Sequence, residues 1–179
     1  MGTTHEIVVT VNGRRYERSI PARQSLADFL RDDLELTGTR LGCEHGVCGC
    51  CTILLDGEPV RSCIVLAAQA DGHDVTTVEG LSGPAGELSP LQEAFCETHA
   101  LQCGYCTSGM LIAAEALLRD TPRPTRAEID AAIGGNICRC TGYVQIREAI
   151  ELAGERRAAG AEPLDADATR KPEAAVKDG

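Results

Sequence analysis

The sequence has no tryptophan, two phenylalanines and three tyrosines, so aromatic residues make up only 3% of its 179 positions. A core must therefore be built from Leu, Ile, Val and Ala. Positive charge is also scarce. Seventeen Lys and Arg against 27 Asp and Glu leave a formal charge of −10. That balance excludes nucleic acid, whose phosphates are bound through Lys and Arg, and equally an anionic membrane surface. No stretch approaches the ~20 apolar residues of a membrane span. The opening MGTTHEIVVTVNG lacks the basic segment and apolar run of a secretory signal, and Glu6 stands where a myristoylation motif has Ser or Thr. There is no Ser/His/Asp order, phosphate-binding glycine loop or flavin fingerprint, so the chain carries no sign of substrate chemistry of its own.

Cysteine, by contrast, is plentiful. Ten in 179 residues is about 6%, below the ~8–10% of a disulfide scaffold. Without an export signal the expected compartment is the cytoplasm. Disulfides are rare there, and clustered cysteines point to metal.

The hydropathy pattern divides the chain in two. HEIVVTVNG begins as a strand, Asn12-Gly13 is a type I′ hairpin signal, and RRYERSI returns. Ser25 with Asp28 has capping-box spacing ahead of a short helix bearing Leu26, Phe29, Leu30 and Leu34. TILLDGEPVRSCIVL (52–66) reads strand, Asp-Gly turn, strand, and VTTV (75–78) reads as a last strand. Residues 79–89, EGLSGPAGELS, read as a linker. Beyond it helices are expected from Ser89-Pro90 to Thr98, over 107–120, over 125–133 and over 143–157. The predicted class is α+β, with domains at 1–78 and 90–157. Residues 158–179, with only Leu164 and Val176 as large apolar side chains, are predicted to be disordered or to lie against a partner.

Four cysteines fall within GCEHGVCGCC (42–51). Cys43, Cys48 and Cys51 make C-x4-C-x2-C, and Cys63 follows, read as lying on the strand after the Asp-Gly turn. This is plant-type [2Fe–2S] ferredoxin spacing, and it leaves Cys50 outside the set. A diiron rhomb needs two thiolates per iron and backbone N–H groups close to sulfur, which suits the interleaved Gly42, Gly46 and Gly49. A structural zinc site also takes four thiolates, but on shorter-spaced knuckles. Cys50 reads as a small buried hydrophobe, His45 as a surface residue, and Cys96, beside Phe95, as core.

LQCGYCTSG supplies Cys103 and Cys106 at the start of one helix, and NICRCTGY supplies Cys138 and Cys140 before another. Two helix N-termini aimed at one spot favour an anionic group. Spacing alone leaves four-thiolate zinc, [4Fe–4S] and [2Fe–2S] open. Arg139, between two of these cysteines, either raises the potential of a bound cluster or makes a salt bridge, within the chain or to a partner.

Taken together, GCEHGVCGCCTILLDG with its following SC, then QCGYCTSGM, then GGNICRCTGY, closely resemble the iron–sulfur subunit of the molybdenum hydroxylase (xanthine oxidase) family. The form resembled is the separate small subunit of three-subunit enzymes such as aerobic carbon monoxide dehydrogenase. The resemblance covers about residues 5–155. It implies an N-terminal β-grasp ferredoxin domain and a C-terminal four-helix-bundle domain, each with one [2Fe–2S] cluster. Cys43, Cys48, Cys51 and Cys63 would hold one cluster, and Cys103, Cys106, Cys138 and Cys140 the other. Gln102 would touch the molybdopterin cofactor. The implied partners are a large molybdopterin-binding subunit and a medium FAD-binding subunit, in a dimer of heterotrimers. Electrons would run from the molybdopterin site through the helical-domain cluster and the ferredoxin-type cluster to FAD. The substrate stays open among carbon monoxide, purines, N-heterocycles and aldehydes. Two positions depart from the family pattern: Cys50 replaces the more usual alanine, and Ser108 stands where proline is common.

Overall fold

The computed structural model describes residues 3–160. The predicted tail from 158 lies almost entirely outside the described residues.

The first half is a five-stranded sheet with the order β2-β1-β5-β3-β4. β1 (Thr4–Val11) and β2 (Arg14–Pro21) form the predicted hairpin, with Val11 opposite Arg14. Asn12 and Gly13 turn at φ 50° and 75°, as a type I′ turn requires. Ile7, Val9 and Val11 alternate inward, the two-residue period of a half-buried strand. β3 (Thr52–Leu55) and β4 (Glu58–Arg61) make a second hairpin around Asp56-Gly57, again with both residues at positive φ. β5 (Asp74–Thr76) lies between the hairpins, parallel to β1 and antiparallel to β3. Ser25 caps α1 (Leu26–Asp28) by accepting from the Asp28 N–H at 3.0 Å. A π-helical turn over Phe29–Asp33 follows, and Leu26, Phe29 and Leu30 are buried against the sheet.

Two strand expectations are corrected. The strand after the Asp-Gly turn stops at Arg61, and Cys63 sits in a 3-10 turn over Ser62–Ile64. The Ser62 hydroxyl and N–H both bind the Cys51 carbonyl, at 2.8 and 3.2 Å, which folds the chain back instead of extending the ladder. The last strand spans Asp74–Thr76 rather than 75–78, because the Thr77 N–H turns to the Asn12 side chain at 2.9 Å.

The second half contains α2 (Pro90–Glu97), α3 (Thr107–Asp120), α4 (Arg126–Ile133) and α5 (Val144–Ala158), close to the predicted spans. Ser89 with Gln92, and Thr125 with Glu128, close reciprocal caps. The four helices share a core in which Leu91, Phe95, Met110, Ile112, Ile129 and Ile150 are fully buried. Cys96 is not in it: it is exposed. One residue along a helix is a rotation of about 100°, so burying Phe95 turns Cys96 outward.

The halves are joined tightly. α3 packs on β3 and β4, and Leu54 from the sheet and Leu81 from the connecting segment belong to the helical core. The Arg119 guanidinium donates to the Gly57 carbonyl at 2.8 Å.

Candidate metal centres

The loop before β3 is shaped by Glu44, Gly46 and Gly49, all at positive φ. Such a loop turns amides inward, and the Cys48 N–H donates to Cys43 Sγ at 3.3 Å. N–H groups of His45 first, then Cys48, hold the Cys43 thiol down to about 6. His45 is exposed, with its Nδ1 against the Cys43 carbonyl. Cys51 is buried and faces Cys63, whose thiol burial pushes up to about 11. Cys50 is buried, as predicted, and its thiol, beside Cys48, is pushed up to about 12, mainly by burial. All four cysteines of C-x4-C-x2-C plus Cys63 therefore meet, with Cys50 beside them.

The second set forms where α3 and α5 begin. Cys106 is the N-cap of α3, and Cys103 lies on the loop just before it. Cys138 and Cys140 precede Tyr143, which caps α5 in a left-handed conformation (φ 70°). Cys140 and Cys103 place their sulfurs 3.6 Å apart. The Tyr105 N–H first, and then Cys140, lower the Cys103 pKa. Cys106 is pushed up to about 12 by burial and by the facing Cys138 thiol. Burial works to raise Cys138, but the Thr141 hydroxyl, 3.2 Å from its sulfur, and nearby N–H groups carry it below its usual value.

Among the described residues no group of three or more His, Cys, Asp or Glu closes around a single ion. The thiols approach two by two: Cys43 with Cys48, Cys51 with Cys63, Cys103 with Cys140, and Cys106 with Cys138. Two thiolates at each of two irons is the demand of a diiron rhomb, and soft sulfur donors suit iron. The residues present therefore fit a [2Fe–2S] group at each site.

The sites adjoin. The Ile137 N–H, next to Cys138, donates to the Cys48 carbonyl at 2.9 Å. Asn136 is buried, and its amide donates to the Gly49 carbonyl at 3.0 Å and to Thr52 Oγ1 at 3.3 Å. α3 approaches so closely that a Cβ on Gly109 would overlap the Gly49 carbonyl and the Asn136 amide.

Two family models match in tandem. Residues 9–81 match a "2Fe-2S iron-sulfur cluster binding domain" and residues 77–151 a "[2Fe-2S] binding domain". The nicotine 6-hydroxylase small subunit of Paenarthrobacter nicotinovorans is 60% identical, over 81% of this chain and 87% of that protein. The caffeine dehydrogenase subunit gamma of Pseudomonas sp. (strain CBB1) is 54% identical over 83% and 90%. The crystal structure of quinoline 2-oxidoreductase from Pseudomonas putida 86 aligns with TM-score 0.84 at 47% identity, covering 89% of this chain and 99% of that one. The chain belongs to the family of small iron–sulfur subunits of molybdenum hydroxylases. Its role in that family is electron transfer.

In this iron–sulfur subunit Gln102 is exposed beside the second cysteine set, and its Nε2 donates to the Cys140 carbonyl at 3.1 Å. Arg139 is exposed and forms no ion pair with a described residue. Sequence reasoning missed Asn136 and Tyr143, whose Oη accepts from the Cys138 N–H at 2.8 Å. It also missed Arg61, whose guanidinium reaches the Gly135 carbonyl at 2.7 Å. The one signal was composition: GGN just before C-x-C packs two glycines and an amide where backbone must come close.

Proposed function

We propose that Cys43, Cys48, Cys51 and Cys63 hold one [2Fe–2S] cluster and that Cys103, Cys106, Cys138 and Cys140 hold a second. The observation that carries this reading is the meeting of two paired thiol sets across one hydrogen bond, from Ile137 to Cys48 at 2.9 Å. When bound, each cluster supplies a one-electron carrier. The chain's own part is to bring N–H groups to the sulfurs, to bury Cys51 and Cys138, and to keep the two sites side by side. It performs no substrate chemistry itself.

The chain carries electrons between a large partner that holds the molybdopterin cofactor and a medium partner that holds FAD, in a dimer of heterotrimers in the cytoplasm. Gln102 faces the molybdopterin partner. Exposed apolar side chains at both sites support contacts with different proteins: Val47 and Ile64 beside the first set, and Leu101, Tyr105 and Ile137 beside the second. No helix among the described residues is long and apolar enough to cross a membrane. The substrate of the complex is an N-heterocycle, a reading supported by the relatives named for nicotine, caffeine and quinoline. The separate hydrophobic cores support domains at 1–78 and 90–157 joined by 79–89, with the helical domain a four-helix bundle.

Metal and sulfide analysis of the anaerobically isolated protein tests the reading. Iron with equimolar inorganic sulfide, visible charge-transfer bands and two EPR signals on reduction are expected. Zinc, or iron without sulfide, would refute it.

A further inference from the structure

One charged group lies between the two thiol sets without an assigned role. Arg61 ends β4, and its side chain leaves the sheet toward the helical half. Nη1 donates to Thr52 Oγ1 at 2.7 Å, while Nη2 donates to the Gly135 carbonyl at 2.7 Å and to Asn136 Oδ1 at 3.3 Å. Thr52 directly follows Cys51, and Gly135-Asn136 stand just before Cys138. A single planar fork thus touches backbone or side chain next to both thiol sets.

The surroundings are cut to fit this fork. A Cβ on Gly135 would collide with the Arg61 guanidinium, and one on Gly49 would collide with the Gly135 carbonyl and Asn136. Asn136 is 2% exposed and spends its amide entirely across the same boundary. All the hydrogen bonds of Arg61 go to neutral oxygens, and no Asp or Glu among the described residues pairs with it. Its charge is permanent and is not cancelled locally. A positive charge held in a half-buried position favours each added electron nearby more than the same charge in bulk water would.

We propose that Arg61 is a positioning residue for electron transfer between the two sites. Its fork fixes the loop before Cys138 against the strand after Cys51, and its charge favours the reduced state at both. This inference rests on the reading of the eight cysteines as ligands of two [2Fe–2S] clusters. A lysine would keep the charge but lacks the planar fork that bonds Thr52 from one nitrogen and Gly135 with Asn136 from another, so the two contributions are separable.

The test uses the chain in complex with its partner subunits, with Arg61→Gln and Arg61→Lys beside the wild type. Iron and inorganic sulfide are measured first. EPR-monitored redox titration and the spin–spin splitting between the two reduced clusters follow. Arg61→Gln should shift both reduction equilibria toward the oxidised form by about tenfold, equivalent to about 59 mV for a one-electron couple, and should weaken the splitting. Arg61→Lys should recover the equilibria while the splitting stays weakened. Should Arg61→Gln lose its clusters, Arg61→Lys alone decides: wild-type splitting there would overturn the proposal. Wild-type equilibria and splitting in Arg61→Gln would also overturn it. A wild-type complex lacking inorganic sulfide would overturn the cluster reading, and this inference with it.

Discussion

At Cys43, N–H groups of His45 and Cys48 reach for the sulfur and hold the thiol at about 6, whereas at Cys106 burial at the head of α3 pushes it up to about 12. The contrast follows from how the two sites are made. Three of the four proposed ligands of the first share one glycine-bent loop, and the fourth lies in the turn that folds back on Cys51. The second site takes its thiols from two segments that only helix packing brings together, so Cys106 and Cys138 lie against the helical core while Cys103 and Cys140 stay exposed. A local site can lean on backbone amides. A site assembled from afar depends on its fold, and because metals bind thiolates rather than thiols, filling it must take the proton from the raised Cys106 thiol.

The sharpest way to break the comparison is to remove one ligand from each site. Cys48→Ser and Cys106→Ser should each lose about half the iron and inorganic sulfide, since a [2Fe–2S] group needs all four thiolates. Each variant should abolish a different EPR signal, and loss of the same signal in both would merge the two sites into one.

Thiol reactivity in the metal-free chain sharpens it further. A pKa lowered to about 6 leaves Cys43 largely thiolate above that pH, and one raised to about 12 leaves Cys106 protonated throughout the neutral range. Alkylation at neutral pH followed by peptide mass spectrometry should mark Cys43 orders of magnitude faster than Cys106. Labelling of Cys43 should fall away as pH drops below about 6.

Core truncation asks whether the second site alone leans on helix packing. Phe95→Ala should cost about 3–5 kcal/mol in the helical half. Thermal unfolding should then release the second cluster before the first. Phe29→Ala, in the sheet core, should reverse that order. The smallest effect is expected at the seam. Gly109→Ala sets a methyl group against the Gly49 carbonyl. Overpacking of this kind costs about 1–3 kcal/mol and should appear as a lower melting temperature with both clusters retained.

Much of this architecture could be read from neighbours in the chain. The Asn12-Gly13 and Asp56-Gly57 turns, the Ser25 and Thr125 caps and the limits of α3 and α4 each depend on residues within one turn of one another. The cysteine spacing belongs to the same class, because a loop around a compact inorganic group has few workable lengths. The failures lay where distant groups compete for one backbone. The strand through Cys63 was broken by Ser62 binding Cys51, and β5 was shortened by Asn12 taking the Thr77 N–H. Cys50 and Cys96 are both surplus thiols, yet one is buried and the other exposed. Cys96 lost its place in the core to the larger Phe95, which buries more apolar surface.

The sequence by itself determined the class of chemistry, through plant-type spacing in the first thiol set and the family resemblance that both sets carry together, on a chain without a substrate-handling motif, because ligand type and local spacing are covalent facts. The tertiary structure alone decided that the two thiol sets share a border, with Ile137 bonded to Cys48 and Arg61 spanning Thr52 and Gly135. Those contacts join residues more than seventy positions apart in the case of Arg61 and Gly135, and only the packing of α3 onto the β3–β4 hairpin brings them within reach.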